Sequence, residues 1–252
     1  MLQSVDTVVG YTVYIQLIRP MIEGKQIISS TMTQEVDRVE AALDAALSGK
    51  SCAIVSSGDA GIYAMAGLAL EICAARHIPM AYRRGGKANT DENVRTPDAL
   101  EIEVVPGIPA VCAGASLLGA PLTHDFACIS LSDLLTPWEL IEKRLHAAAS
   151  ADFVIALYNP KSKRRATQLE QAQQIVLQYR NGATPVGVVT SAMRNEQDVR
   201  LTTLENLHLA PVTMLSTVFI GNSTSFAYQD IMITPRGYRR KYSFQVTSKN
   251  VL

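Results

Sequence analysis

The sequence has no excess of charge of either sign and no long uninterrupted apolar segment. Lysine and arginine number 23, as do aspartate and glutamate, so the formal net charge is zero. Without a basic excess there is no electrostatic reason to bind nucleic acid or an anionic membrane surface. Residues 104–124 and 206–229 lack charged side chains, but proline or glycine interrupts each stretch before the roughly 20 apolar residues that span a bilayer. We therefore expect neither nucleic-acid nor membrane partners.

Cysteine and histidine are scarce and scattered. There are four of each, and no two cysteines lie close enough for a CxxC pair. Each cysteine lies in an apolar run, which predicts buried thiols in a reducing cytoplasm rather than disulfides or a zinc site. The histidines show no ligand spacing, so no metal site is expected. The opening residues lack the basic and apolar regions of a secretory signal, which also favours the cytoplasm.

Strand-like and helix-like segments alternate along the chain, twice over. Hydrophobic residues make up 48% of the chain and charged residues only 18%, which predicts a well-buried core rather than disorder. Short apolar runs predict strands at 5–9, 51–56, 101–105, 128–131, 153–158, 185–190 and 213–220. This order predicts an α/β fold with two domains, residues 1–108 and 109–252. A change of composition over about 77–99 predicts a flexible surface insertion in the first domain.

Five loops follow predicted strands, where α/β sheets bind ligands. They cover residues 56–62, 106–110, 158–160, 190–193 and 221–222. In the first loop, glycines on both sides of Asp59 let the backbone approach a ligand closely. The Asp59 carboxylate can accept hydrogen bonds from a ribose diol or an amine, and a helix predicted to begin at Ile62 offers free N–H groups. The alternative for Asp59 is an ordinary helix cap.

Several common catalytic motifs are absent. No G-x-G-x-x-G follows a strand, and the sequence contains neither a P-loop nor a G-x-S-x-G elbow. These motifs supply the phosphate cradle of many NTPases and the nucleophile of α/β-hydrolases. We therefore expect neither of those two classes.

The loops taken together resemble a known family. Ser-Gly-Asp at 57–59, Pro-Gly-Ile at 106–108 before a small-residue helix, and Pro-Leu-Thr-His at 121–124 are similar to the tetrapyrrole (precorrin) methyltransferases. The resemblance implies two α/β domains with the active-site cleft between them. Longer similar runs lie at 8–11, 56–63, 130–138 and 233–238. The similarity covers essentially the whole chain apart from the insertion around 77–99.

The resemblance implies an activity. We expect S-adenosylmethionine-dependent C-methylation of a precorrin at C(17), with ring contraction, in cobalamin biosynthesis. The expected substrate is precorrin-3B or its cobalt-containing analogue, and the expected assembly is a homodimer. Two alternatives stay open. One is a sister methyltransferase acting on another precorrin position or on uroporphyrinogen, and the other is an N-terminally truncated, inactive tetrapyrrole-binding homologue.

The resemblance also implies which residues bind S-adenosylmethionine. Carried over by position, they are Ser57, Gly58, Asp59, Ile62, Pro109, Ala110, Tyr158 and Ala192. All of them fall in the strand-end loops chosen above from the residues alone. This agreement favours a ligand contact for Asp59 over a simple helix cap.

The expected reaction needs proton transfer and recognition of carboxylate arms. Ring contraction moves protons, so a general acid or base is expected among His124, Asp125 and Tyr158. A structural histidine is the alternative for His124. Acetate and propionate arms call for basic partners, for which the candidates are Lys161, Lys163, Arg164, Arg165 and Arg236. A solvated helix start is the alternative for the basic cluster, although cations there oppose the helix dipole.

The start of the chain departs from the family pattern. The family opens with a strand and a turn resembling G-x-G-P-G-D, followed by a helix that leads into the strand at 8–11. No such turn precedes Val8. The resemblance therefore implies that the chain begins inside that helix, and that the first domain has an open sheet edge or reduced stability. On this interpretation the chain is a fragment or a weakened form of a slightly longer enzyme.

Overall fold

A computed structural model describes residues 2–85, 99–162 and 165–243 of the chain. The chain divides into two compact units, Met1–Pro109 and Ala110–Leu252. Strands and helices occur in both units, so the fold is mixed α/β, as predicted. The longest helices of the described residues have 13 residues, and no helix among them is long and apolar enough to cross a membrane.

The first unit contains two small parallel sheets. Its elements are β1 Thr7–Tyr11, α1 Thr12–Leu17, β2 Gln26–Ser30, α2 Glu35–Leu47, β3 Cys52–Val55, α3 Met65–Ala75, β4 Met80–Arg83 and β5 Leu100–Glu103. One sheet has the order β2-β1-β3, and β4 pairs with β5. Val8 and Val9 of the central strand are fully buried, because β-branched apolar side chains suit a strand covered on both faces.

Helices α2 and α3 cover both sheets of this unit. Their buried residues Val39, Leu43 and Cys73 form one cluster, onto which Ile54 of β3 and Ile102 of β5 also pack. Within the described residues β3 pairs only with β1, and β5 pairs only with β4. The two sheets are thus separate in hydrogen bonding, but both pack on the same apolar cluster of α2 and α3. The loops that follow β3 and β5 contact each other through Asp59 and Gly107.

Two sequence-based expectations in this unit are wrong in detail. The helix expected to begin at Ile62 begins at Met65, because residues 59–64 form turns and the Ile62 N–H donates to the Asp59 carbonyl at 3.3 Å. The expected insertion at 77–99 contains strand β4, Met80–Arg83, which the change of composition concealed. Residues 86–98 of that insertion lie outside the described part of the chain.

The second unit is built on a five-stranded mixed sheet. Its elements are α4 Ala110–Leu118, β6 Gly119–Ala120, β7 Phe126–Ser130, α5 Trp138–Ser150, β8 Val154–Tyr158, α6 Gln168–Leu177, β9 Pro185–Thr190, β10 Asp198–Thr203, β11 Ser216–Ile220, β12 Phe226–Tyr228 and β13 Ile231–Ile233. The main sheet has the order β10-β9-β11-β8-β7, and a smaller one has the order β12-β13-β6.

Strand direction in the main sheet decides which loops share an edge. β7 and β8 are parallel, whereas β11 is antiparallel to both of its neighbours, β8 and β9. β7, β8 and β9 therefore end at one edge of the sheet, and β11 ends at the opposite edge. Loop 221–222 follows β11 as predicted, but it lies at the opposite edge from the loops after β7, β8 and β9. The sequence did not show this, because apolar composition does not encode strand direction.

Helix α4 packs closely on one face of this sheet. A Cβ added to Gly114 would lie 2.8 Å from the Phe219 ring, and one added to Gly187 would lie 2.4 Å from Leu118 Cδ1. Leu118 and Phe219 are fully buried. The two glycines thus let the helix backbone and the strand approach each other, which places the start of α4 near the end of β8.

The cysteines are only partly as predicted. All four are free, and burial raises the pKa of Cys52 to about 11. Cys73 is buried and Cys112 is exposed, so the expectation of four buried thiols is wrong for Cys112. Within the described ranges no group of three histidine, cysteine or acidic side chains could hold a metal ion.

Candidate active site

The Asp59 carboxylate joins the loops that follow β3 and β5. One carboxylate oxygen, Oδ1, accepts the Gly61 N–H at 2.8 Å, and Oδ2 accepts the Gly107 N–H at 2.9 Å. These backbone bonds lower the pKa of Asp59 below its ordinary value of 3.8. Because the folded-state pKa is lowered, the link is present at neutral pH and is lost only as the pH falls below about 4.

Gly107 and Gly58 bring the same two loops into contact. A Cβ on Gly107 would lie 2.1 Å from the Gly58 carbonyl oxygen and 3.1 Å from its carbonyl carbon. Both neighbouring atoms belong to the backbone, so a rotamer change cannot relieve the overlap. Glycine is required at position 107 because only glycine leaves room for the opposite loop.

The rest of the first loop is exposed. Ser57, Gly58 and Ile62 are exposed, and Tyr63 has a left-handed φ of 51°. The Ile62 N–H is already bonded within the turn. Ile62 can therefore offer a ligand its carbonyl or its side chain, rather than the helical N–H expected from the sequence.

Tyr158 organises the first turn of helix α4. Its hydroxyl accepts the N–H of Val111, the second residue of α4, at 2.8 Å. The first N–H groups of a helix have no intrahelical partner, so this contact acts as a cap. Tyr158 and Ala192 also pack against the same cluster, which includes Val189 and Phe219. The structure thus brings Ala110, Tyr158 and Ala192 to one edge of the main sheet.

The loops after β7 and β8 are tied together at this same edge. Ser130 Oγ accepts the Asn159 side-chain amide at 3.0 Å and the Ser132 N–H at 3.2 Å. Arg165 Nη1 donates to Ser132 Oγ at 3.3 Å. Lys161 is exposed on the same loop. Lys161 and Arg165 are therefore near Tyr158 in the chain and in space, whereas Lys163 and Arg164 lie outside the described residues.

An apolar pair projects from the loop after β7. The side chains of Leu134 and Leu135 are 68% and 93% exposed, although the loop is anchored by Ser130 and Ser132. The neighbouring Asp133 accepts a hydrogen bond from Gln168 at 3.0 Å. The edge that carries Tyr158 thus combines exposed apolar groups with the cations Lys161 and Arg165.

The other predicted residues lie at the opposite edge of the main sheet. The Asp125 carbonyl accepts the Val154 N–H at 3.1 Å, at the start of β8. Tyr158 is four residues further along, about 13 Å at the usual rise of a strand. The structure therefore does not bring His124, Asp125 and Tyr158 together as one acid–base group.

A cavity of about 540 Å³ gathers three of these residues. His124, Asp125 and Arg236 line it, together with Arg239 and Arg240. Arg236 therefore does not lie beside Lys161 and Arg165, as a single set of basic substrate contacts would require. The sequence alone does not separate these residues, because it shows neither strand order nor strand direction.

Two contacts at the candidate site were not predicted. Gly107 bonds to Asp59 across 48 residues of chain, and Val111 bonds to Tyr158 across 47. The Pro-Gly-Ile run was a signal for the first, since glycine directly after a predicted strand suggests a close backbone approach. No local sequence pattern predicts the contact between Val111 and Tyr158, because almost any residue at position 111 would supply the same backbone N–H.

Comparison with known proteins identifies the family. Residues 1–208 match the model of the family described as Tetrapyrrole (Corrin/Porphyrin) Methylases. The chain therefore belongs to the tetrapyrrole methylase family of methyltransferases.

Individual relatives extend this assignment. The chain is 49% identical over 248 residues to the cobalt-factor III methyltransferase of Priestia megaterium, covering 98% of this chain but only 43% of that protein. It is 44% identical over 237 residues to the probable cobalt-factor III C(17)-methyltransferase of Salmonella typhimurium, covering 94% of this chain and 90% of that protein. The solved structure of the methyltransferase CobJ is similar with a TM-score of 0.80 at 31% identity, covering 93% and 90% of the two chains.

Proposed function

We propose that this protein transfers a methyl group from S-adenosylmethionine to C(17) of a cobalt-containing tetrapyrrole, with ring contraction, in cobalamin biosynthesis. The observation that carries the proposal is 44% identity to a probable cobalt-factor III C(17)-methyltransferase across 90% of that protein. The relatives' names favour the cobalt-containing substrate over metal-free precorrin-3B, a choice that the sequence alone left open.

The donor set of the candidate site suits S-adenosylmethionine. Asp59 remains ionised at neutral pH because its pKa is lowered, and each of its oxygens retains accepting capacity beside its backbone bond. A carboxylate of this kind can accept the ribose hydroxyls or the ammonium group of the donor. The proposal assigns donor binding to Ser57, Gly58, Asp59, Ile62, Pro109, Ala110, Tyr158 and Ala192.

The donor supplies an electrophilic methyl group on a sulfonium, so the protein has little activation to perform. Its task is to hold the acceptor carbon in line and to exclude water. The exposed Leu134 and Leu135 can cover an apolar macrocycle face, while Lys161 and Arg165 receive carboxylate arms. In the proposal, Lys163 and Arg164 join these cations.

Tyr158 is the acid–base candidate at this edge of the sheet. Its hydroxyl accepts the Val111 N–H, and a phenolic hydroxyl can act as a proton donor as well as an acceptor. His124 and Asp125 line the cavity at the opposite edge of the main sheet. We therefore propose Tyr158, and neither of those two residues, for proton transfer during ring contraction.

A binding and turnover assay tests the function. We expect S-adenosylhomocysteine to bind the protein in calorimetry, and cobalt-factor III to gain one methyl group at C(17), measured by mass and NMR. Methylation at another position, or only of uroporphyrinogen, would show a sister enzyme instead. Absence of S-adenosylhomocysteine binding would contradict methyl transfer altogether and favour an inactive tetrapyrrole-binding homologue.

Changing Tyr158 to phenylalanine tests its two proposed roles. Loss of the hydroxyl leaves the Val111 N–H without its partner, so we expect a stability loss of about 1 kcal/mol in urea unfolding. If Tyr158 also moves a proton, the rate of ring contraction falls more than S-adenosylhomocysteine affinity does. Equal losses in affinity and turnover would indicate a purely positioning role.

The proposal includes an assembly and a compartment. We propose a homodimer acting in the cytoplasm, supported by the family resemblance and by four free cysteines, which suit a reducing environment. Light scattering coupled to size-exclusion chromatography should give twice the single-chain mass of 27.3 kDa. A single-chain mass at micromolar concentration would contradict the dimer.

A further inference from the structure

The cavity that contains His124 and Arg236 is lined by an arginine-rich turn. Arg236, Arg239 and Arg240 all line it, and all three are exposed. The turn depends on Gly237, whose φ of 97° lies in the left-handed region. Glycine adopts this conformation without the steric cost of a side chain. Three guanidinium groups are thereby concentrated within five residues.

The base of this turn is held firmly. Thr234 is fully buried, and its N–H donates to the Ala120 carbonyl at 3.0 Å. Its hydroxyl lies 2.7 Å from Ser225 Oγ, and its carbonyl accepts the Thr123 hydroxyl. These bonds fix where the turn begins, so part of the cost of ordering a binding site is already met on folding.

The facing wall contains a neutralised carboxylate. Asp152 accepts the Ser223 N–H at 2.9 Å and the Ser223 hydroxyl at 2.6 Å. Its carboxylate also lies 3.8 Å from Nε of Arg180, whose side chain is only 1% exposed. Asn222 is 5% exposed and accepts the Thr224 N–H at 3.0 Å. Asp152 therefore acts mainly as a structural group that fixes the wall.

The remaining groups make the cavity positive and rich in donors. His124 Nδ1 accepts the Asp125 N–H at 2.8 Å, so the neutral ring carries its proton on Nε2. The Asp125 carboxylate lies 3.6 Å from His124 Nδ1, an ion pair only when the histidine is protonated, whereas Asp152 faces the permanently charged Arg180. Three lining arginines and buried Arg180 thus outnumber two carboxylates.

We propose that this cavity binds a compact oxyanion that carries two or more carboxylate or phosphate groups. The planar guanidinium group of arginine can bind either a carboxylate or a phosphate through two parallel hydrogen bonds. The cavity volume of about 540 Å³ is within the range of small-molecule sites. The site is distinct from the edge that carries Tyr158, because β8 separates the two along its length. The proposal goes beyond methyl transfer and does not depend on it.

Calorimetry on the full chain tests the site with citrate and pyrophosphate as probes. We expect one-to-one binding of at least one probe, with sodium chloride at matched ionic strength as the baseline. Binding of citrate alone identifies a carboxylate site, and binding of pyrophosphate alone identifies a phosphate site. If neither probe binds above the chloride baseline, the proposal is overturned.

Three substitutions locate the binding. Arg236→Gln should weaken the oxyanion about tenfold or more, since it removes a charge-assisted contact. Arg200→Gln, at an exposed arginine of β10 that bonds to Asp198, should change affinity by less than about twofold. Asp125→Asn should strengthen binding, because a like charge is removed.

The strengthening by Asp125→Asn is a result that general damage to the fold would not produce. Equal effects of Arg236→Gln and Arg200→Gln would overturn the proposed location. S-adenosylhomocysteine is titrated into the same samples. If the wild-type protein does not bind S-adenosylhomocysteine, the methyltransferase function is contradicted. The oxyanion result is unaffected by that outcome.

Discussion

Replacing Gly107 by alanine should weaken S-adenosylhomocysteine binding on the order of a hundredfold while most of the fold persists. The new Cβ would lie 2.1 Å from the Gly58 carbonyl oxygen, far inside van der Waals contact. Because Gly107 φ is not positive, the obstacle is proximity of the loops and not backbone conformation. The loops must separate, and the Gly107 bond to Asp59 is lost with that movement.

Calorimetry with S-adenosylhomocysteine measures this effect, and Gly67 in α3 supplies the matched control. Nothing lies within 4 Å of a Cβ on Gly67, so Gly67→Ala should raise stability by about 0.5–1 kcal/mol and leave binding unchanged. Asp59→Asn gives a second test without steric overlap, since the amide oxygen can accept only one of the two N–H groups on opposite sides and the amide nitrogen accepts neither. Wild-type affinity in Gly107→Ala would contradict the assignment of these loops to donor binding.

Replacing Arg180 by methionine should destabilise the second unit by about 2–5 kcal/mol. The buried guanidinium donates to the Phe153 and Gly221 carbonyls and faces Asp152. It therefore links the start of β8 to the end of β11. Methionine fills similar space but leaves two buried carbonyls without a donor, and unpaired buried acceptors are costly.

Urea unfolding measures the stability change, with Arg200→Met as the control. Arg200 and its partner Asp198 are about half exposed, so this change should stay within about 0.5 kcal/mol. Similar losses in the two variants would show that the buried contacts contribute little. Retained stability in Arg180→Met alone would contradict the role assigned to this arginine.

Local pattern predicted several elements closely. The expected strand at 185–190 is β9, Pro185–Thr190, and the one expected at 153–158 differs from β8 by one residue. Both are continuous β-branched or apolar runs, which have few alternatives once buried. Strands β2 and β10 were not predicted, because their mixture of polar and apolar residues gives a weaker signal and pairing with neighbours stabilises them.

In the candidate site, too, local sequence indicated single residues but not the contacts between residues distant in the chain. Asp59 was predicted as a site residue because glycines and a strand end surround it in the sequence. Its partner Gly107 lies 48 residues away, and a single sequence gives no measure of that distance. His124 and Arg236 were predicted to act with Tyr158, but the structure places both in the arginine-lined cavity at the opposite edge of the main sheet.

By itself the sequence determined the α/β alternation, the family and the strand-end loops that form the candidate site. These depend on residues close in the chain, where periodicity and turn chemistry act directly. Only the tertiary structure decided that β11 runs antiparallel to β8. That direction is set by long-range pairing and packing, and it separates the Tyr158 edge from the arginine-lined cavity.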